Sequence, residues 1–405
     1  MRVVLSTYGS RGDVQPLAGL AVKLRELGAQ VRVCAPPDEE FAQRLAAAGV
    51  EMVPVGDPVR GQVGGKPPAP GDFPRRVAAL VAKFHEAVAE AAEPGGVVVA
   101  TGLFPAVAGA QAAAEVVGAR FVYVALQPTM LPSPHHRPFE YPSQPYRPGL
   151  TGNRELWEDN VRTMNALFGE QVNAHRASVG LPTVDNVRDH VFTDRPWLAT
   201  DQVLGPWPQP AEREVVQTGA WLLVDGRPLP ARLSAFLDAG DPPVYVGFGS
   251  MPLHGAPDAA RVVVEAARAH GRRVVLARGW AELALAGAGA DGDADCFAVG
   301  EVNQQALFPR VAAVVHHGGA GTVTAAALAG TPQVVVPQMV DQPYWAERVA
   351  ELGVGAAHEG AVPTVESLTV ALGRALAPEA AVRAAAVAGE LRTDGAELAA
   401  KLLLG

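Results

Sequence analysis

His316-His317-Gly318-Gly319-Ala320-Gly321-Thr322 joins two stretches of opposite character. Before it, 312–315 (Ala-Ala-Val-Val) is a short apolar run that predicts a buried strand. After it, 323–329 predicts a helix of small residues. Helix N-termini bind anions because their first amides are free and the dipole is positive there. The glycines let a phosphate approach the backbone, Thr322 adds a hydroxyl and a histidine adds a donor. The next strand, 333–336, carries Gln338 and Asp341-Gln342 at its carboxyl end. Parallel neighbours lie roughly 5 Å apart, so both loops are expected to open on one crevice. Phosphate donors beside an Asp-Gln pair able to grip hydroxyls point to a phosphorylated sugar.

Outward from this unit the chain alternates strand and helix. In the first half, 2–6, 30–34, 51–55, 97–100 and 121–125 are β-rich runs, separated by helical patterns such as 14–27 and 75–92. In the second half, strands are expected at 244–248, 273–277, 296–299, 312–315 and 333–336. The alternation predicts α/β folding, two doubly wound parallel-sheet (Rossmann-like) domains facing across a cleft. Residues 1–203 would form the first domain, 204–220 (Leu-Gly-Pro-Trp-Pro-Gln-Pro onward) a linker, and 221–405 the second, with the last helix free to pack back on the first. Residues 127–150 hold seven prolines with Phe139, Tyr141 and Tyr146, and cannot be helix or central strand. So long a loop in a compact domain is usually functional or disordered. Two helices are expected to follow it, at 156–168 and 170–179.

At 405 residues the chain exceeds one comfortable domain, and 49% hydrophobic content gives ample core. A net charge of −9 argues against a nucleic-acid partner. The two cysteines, Cys34 and Cys296, sit in apolar runs without metal or redox spacing, which fits a cytoplasmic compartment. The start, Met1-Arg2-Val3-Val4-Leu5, enters a strand directly and is not expected to be a signal peptide. No run reaches membrane-spanning length.

In the first half, Gly9-Ser10-Arg11-Gly12-Asp13 follows the first strand and opens a helix, where open α/β sheets bind ligands. It is not GxGxxG, so dinucleotide binding is poorly supported. Asp13 reads equally as a catalytic base or as the cap of a helix starting near Val14; Gln15 and Pro16 supply no capping-box partner, which weighs against the cap. Arg11 is expected to pair with a carboxylate. His135-His136 is expected to be exposed in the Pro-rich loop beside an acceptor pocket, with no ligand-like neighbours for a metal.

In the second half, Asp291-Gly292-Asp293-Ala294-Asp295 spells DxD but follows a flexible Ala/Gly stretch and reads as a solvated acidic turn, so no metal is expected. Gly249-Ser250 ends one strand and reads locally as a plain turn. Arg278-Gly279-Trp280 ends another, where Trp280 suits packing more often than a base platform. Backbone groups of Glu301-Val302-Asn303 could read a pyrimidine edge. Their convergence on one crevice raises these loops together.

These pieces resemble, nearly end to end, the GT-B-fold glycosyltransferases of the vancomycin group, which decorate antibiotic aglycones. The resemblance rests on 1–5 with 9–13, Ala35-Pro36-Pro37, 131–135, Gln217-Thr218-Gly219-Ala220-Trp221, 247–250, 300–303, 316–322 and Asp341-Gln342-Pro343-Tyr344. It implies a TDP- or UDP-sugar donor on the C-terminal domain, an acceptor on the N-terminal domain and no cofactor or metal. Carried over by motif, Asp13 would be the general base. Ser10, Ser250, His316, His317, Gly318, Gly319, Gly321 and Thr322 would line the diphosphate, leaving open which histidine touches it. Val302 would meet the pyrimidine, with Arg278 and Trp280 in the same donor-binding set, and Asp341 and Gln342 would meet the sugar hydroxyls. Two departures stand out. Val14-Gln15 follows Asp13, as in sterol and lipid glycosyltransferases of the same superfamily, and Glu301 stands where plant relatives carry a tryptophan that stacks on uracil.

The resemblance implies a single inverting displacement, with a hydroxylated apolar or aromatic small molecule as acceptor, no nucleic-acid or membrane partner, and a monomer or homodimer. A sterol or lipid glycosyltransferase remains the alternative. So does a nucleotide-sugar 2-epimerase of the same fold, which would need no large acceptor loop. A non-catalytic nucleotide-sugar sensor would need no Asp13.

Overall fold

The computed structural model describes residues 1–60, 70–249, 258–278 and 295–405. Ser250, Trp280 and all but Asp295 of the acidic run lie outside the described residues. The chain divides into two compact units. The first comprises Met1–Gln202, Pro206–Leu223 and Arg392–Gly405; the second comprises Val203–Gly205 and Val224–Leu391.

The first unit holds strands β1 (Arg2–Tyr8), β2 (Gln30–Ala35), β3 (Glu51–Pro54), β4 (Val97–Gly102), β5 (Arg120–Ala125), β6 (Trp197–Leu198) and β7 (Val216–Gln217). They form one parallel sheet in the order β3-β2-β1-β4-β5-β6-β7. Its helices are α1 (Arg11–Glu26), α2 (Glu39–Ala47), α3 (Phe73–Ala91), α4 (Phe104–Val117), α5 (Asn153–Met164), α6 (Glu170–Ser178) and α7 (Val187–Phe192). Val3, Val4, Leu5, Val98 and Val99 are fully buried, because helices cover both faces of a parallel sheet. The two helices expected after the Pro-rich loop are present, joined by a π-helical turn at Asn165–Gly169.

The second unit holds β8 (Val244–Gly247), β9 (Val274–Ala277), β10 (Cys296–Val299), β11 (Ala313–His316), β12 (Gln333–Val335) and β13 (Gly355–Ala357), parallel in the order β10-β9-β8-β11-β12-β13. Its helices are α8 (Ala231–Asp238), α9 (Ala259–Ala269), α10 (Gln304–Leu307), α11 (Ala320–Leu328), α12 (Gln342–Glu351), α13 (Val365–Ala375) and α14 (Pro378–Glu390). One apolar cluster on Val244, Val246, Leu276 and Val315 and another on Tyr245, Val275, Ala277 and Val314 alternate along the same strands, so each covers one face.

The last helix, α15 (Gly395–Leu404), packs on α1 within the first unit, and the Arg120 guanidinium donates to the Leu403 carbonyl at 2.7 Å. The stretch 204–220 is not a free linker. It carries β7, a two-residue edge strand too short to leave a periodic signal. In both sheets the strand order reverses beside the first strand, between β1 and β4 and between β8 and β11. At such a switch point the loops leaving the carboxyl ends diverge and open a crevice.

Candidate donor and catalytic site

At the first switch point Tyr8 pairs with Gly102, and the Leu103 amide continues the ladder onto the Tyr8 carbonyl at 3.0 Å. Helix α1 begins at Arg11, three residues earlier than the apolar periodicity suggests, because Ser10 and not Asp13 is the N-cap. Ser10 Oγ accepts the Gly12 amide at 3.3 Å, and Asp13 Oδ2 reaches back to accept the Ser10 amide at 2.8 Å. The capping box thus exists, one turn upstream of where it was sought, with Asp13 as its acidic member. Ser10, expected on the diphosphate, caps the helix with its hydroxyl. Gly9 makes the arrangement possible: a Cβ there would lie 2.2 Å from Asp13 Oδ2. Arg11 does meet a carboxylate, Glu40, at 4.0 Å.

At the second switch point His316 closes β11 and is fully buried. Its Nε2 meets Gln333 Oε1 at 2.9 Å and its Nδ1 accepts the Gly318 amide at 3.1 Å. Both ring nitrogens are engaged within the protein, so His316 braces the turn. His317 is different: its Nδ1 is buried with no hydrogen-bond partner. Burial pushes the His317 imidazolium down to about 4 and that of His316 to about 3, so both rings are neutral at pH 7. Gly318 takes φ +96°, and a Cβ on it would come within 2.8 Å of Val335 Cγ1. Gly319 caps α11, whose first backbone bonds run from the Thr322 and Val323 amides to the Gly319 carbonyl. The amides of Ala320 and Gly321 precede those bonds and lie at the positive end of the helix dipole. Gly321 is exposed, with open space where a Cβ would stand.

Around this turn, Val302 puts its side chain into the core, leaving only backbone for a base. Glu301 pairs with Arg227 at 3.2 Å, and Arg227 also grips Asp225 at 2.7 Å. Arg278 is exposed just past β9, with its amide on the Val299 carbonyl at 3.0 Å.

The turn between β12 and α12 is tightly braced. Gln342 is buried, and its Oε1 accepts the amides of Gln338 at 2.7 Å and Met339 at 3.1 Å. The amide oxygen expected to serve a sugar hydroxyl is therefore occupied by the protein's own backbone. Val340 sits at φ +56°, a strained position for a β-branched residue. Asp341 Oδ2 accepts the Trp345 indole N–H at 2.8 Å, and burial raises the Asp341 carboxyl to about 6. Trp345 was not anticipated, although it stands at i+4 from Asp341 on one helical face.

Comparison with known proteins decides the family. Residues 3–122 match the model of the glycosyltransferase family 28 N-terminal domain, and 295–399 match that of the erythromycin biosynthesis protein CIII-like C-terminal domain. The vancomycin aglycone glucosyltransferase of Amycolatopsis orientalis is 51% identical over 100% of this chain and 97% of its own. The dTDP-epi-vancosaminyltransferase of the same organism is 48% identical over 96% of this chain and 93% of its own. The protein belongs to the vancomycin-group glycosyltransferases. Its fold is the GT-B architecture, shared at a TM-score of 0.73 and 22% identity with the glycotransferase of kitacinnamycin, over 100% of this chain and 98% of that one.

In this glycosyltransferase the Pro-rich segment is built, not loose. A short 3-10 turn occupies Pro128–Met130, and Tyr141 bridges Gln144. His136 is not an exposed loop histidine: its Nε2 meets the Leu131 carbonyl at 2.9 Å, and the Trp157 indole donates to its carbonyl at 2.8 Å. His135 is exposed, with Nε2 at 3.1 Å from the Pro210 carbonyl. Phe139 is 41% exposed and lies edge-to-face on Tyr141. Among the described residues no group of three or more His, Cys, Asp or Glu side chains has metal-binding proximity, and no helix is long and apolar enough to cross a membrane.

Proposed function

We propose that this enzyme moves a sugar from a TDP- or UDP-linked donor to a hydroxyl of a glycopeptide- or polyketide-type aglycone in cytoplasmic antibiotic biosynthesis, with inversion and without a metal ion. The observation that carries this is the start of α11, where the Ala320 and Gly321 amides precede the first helical bonds, Gly321 is open, and the nearby His317 has a buried nitrogen without a partner. An anion of diphosphate size suits such a place. The relatives' names add support: one acts on the vancomycin aglycone and another uses a dTDP-linked sugar.

In the proposed reaction Asp13 removes the proton from an acceptor hydroxyl as its oxygen attacks the anomeric carbon. The bond from that carbon to the diphosphate breaks, and its electron pair leaves with the nucleoside diphosphate. General-base assistance of this kind contributes roughly 10²–10⁴-fold. The growing negative charge is met by the α11 amides, its dipole and a neutral His317 donor. Charge develops at the sugar as an oxocarbenium-like state. Asp341 receives a sugar hydroxyl, and the Val302 backbone reads the pyrimidine edge. The segment 127–150 supplies aromatic surface for the acceptor.

A sterol or lipid acceptor keeps one point in its favour, the Val14-Gln15 pair after Asp13. Incubation with radiolabelled TDP-glucose, with a glycopeptide aglycone, a sterol or no acceptor, tests the proposal. Label is expected on the aglycone alone. Label on the sterol would shift the acceptor class, and an epimerised sugar nucleotide without acceptor would replace transfer by epimerisation.

A further inference from the structure

We infer that Trp345 is a positioning residue for the donor: its indole N–H fixes one oxygen of the Asp341 carboxylate and leaves the other to a hydroxyl of the donor sugar. The inference rests on the proposed placement of Asp341 at that sugar.

Three observations carry it. Asp341 immediately precedes α12, where an acid ordinarily accepts an amide of the first helical turn. It makes no such capping bond; its Oδ2 turns instead to Trp345 Nε1 at 2.8 Å. The donor is itself immobile. Trp345 is 2% exposed and packs among Val323, Val335, Val349 and Val354, from α11, β12, α12 and the residue before β13. A rigid indole one helical turn away therefore sets the carboxylate's torsion, which a solvated partner would not. Third, the chain before Asp341 is held under strain, with Val340 in the left-handed region and Gln342 clamping the amides of residues 338 and 339. Strain of this kind persists where the surroundings over-determine a geometry, commonly at ligand sites. The indole has a second effect. Burial favours the protonated carboxyl, whereas a donated N–H favours the ionised one, so Trp345 keeps Asp341 an acceptor near neutral pH.

The test compares Trp345→Phe, Asp341→Asn and the native enzyme by calorimetry with TDP and with TDP-glucose across pH 5–8. A second substitution, Trp345 replaced by benzothienylalanine, keeps the bicyclic shape and exchanges only the N–H for sulfur, so packing is preserved if the Phe variant folds poorly. Both Trp345 variants are expected to bind TDP as the native enzyme does and TDP-glucose about ten-fold more weakly, the loss of one charged hydrogen bond. The acid limb of TDP-glucose binding is expected to move to higher pH. Equal weakening of TDP and TDP-glucose would reduce Trp345 to a core residue and overturn the inference. So would native TDP-glucose binding in the Trp345 variants while Asp341→Asn is impaired. Native TDP-glucose binding in Asp341→Asn would instead remove Asp341 from the sugar site, a failure of the proposed function at that position that takes the inference with it.

Discussion

Asp13 Oδ2 accepts the Ser10 amide at 2.8 Å, so one carboxylate both closes the start of α1 and stands at the first switch point. Capping and catalysis are therefore compatible roles for one residue, and substitutions can separate them. Asp13→Asn retains an oxygen for the Ser10 amide and should keep stability nearly unchanged, while turnover falls by roughly two to four orders of magnitude. Asp13→Ala should lose about 0.5–2 kcal/mol as well. Gly9→Ala places a methyl 2.2 Å from the present Oδ2 position and should displace the carboxylate, lowering turnover without touching TDP affinity. Melting curves, single-turnover rates and TDP calorimetry check all three, and an Asp13→Asn enzyme at full activity would leave Asp13 as a helix-start residue alone.

The two adjacent histidines should behave oppositely. His317→Ala should weaken TDP binding with little change in melting temperature. His316→Ala leaves Gln333 and the Gly318 amide without their partner and should cost about 1–3 kcal/mol of stability. TDP affinity measured alongside thermal denaturation separates the two; a stable His316→Ala that fails to bind TDP would reverse the assignment.

The pH dependence follows from burial. An unfolded histidine titrates near 6.5, whereas His317 and His316 resist protonation down to about 4 and about 3. The unfolded state thus takes up protons first on acidification, and stability should fall as pH drops from 6.5 towards 4. Asp341 has the opposite sign: raised to about 6, it contributes stability at low pH that is lost as pH rises from about 4 through 6. A diphosphate beside His317 should raise that ring's affinity for a proton. TDP binding near pH 5 should therefore take up protons, visible as a dependence of calorimetric heat on buffer ionisation enthalpy; zero uptake would place His317 away from the phosphates.

Exchange of segment 127–150 for that of a relative should change acceptor choice and leave TDP affinity alone. The segment is anchored at Leu131 and at His136, which Trp157 of α5 holds, so the exchange is best made with Leu131 and His136 retained. A chimera altered in donor choice only would contradict the assignment.

Turnover should survive exhaustive EDTA treatment, because helix-start amides and His317 meet the diphosphate charge in the proposed reaction. Loss of activity, restored by manganese or magnesium, would bring the acidic run at 291–295 back into consideration.

The sheets were legible in the sequence because parallel strands buried on both faces are short apolar runs, as at 3–5, 97–99 and 313–315. The α11 turn was legible for a related reason: glycines clustered between strand and helix have few other uses. What failed was register. His316 and His317 share composition and neighbourhood, and the Gln333 contact across β11 and β12 and the Gly318 amide bond separate them. Ser10 and Asp13 are both good caps, and which one starts the helix depends on where β1 ends, two residues beyond the β-rich run 2–6. The two backbone amides that Gln342 holds are likewise invisible in a sequence.

The packing of α15 on α1 has a consequence for the order in which the molecule is made. Residues 392–405 leave the ribosome after the whole of the second unit, yet they complete the first. Domains commonly fold as they emerge, N-terminal first. Here the side of α1 that meets α15 stays uncovered until the segment bearing the buried Ala396, Ala399, Ala400 and Leu403 has been made. The first unit therefore waits on residues made after the second, and α1 gains its last cover only when α15 docks.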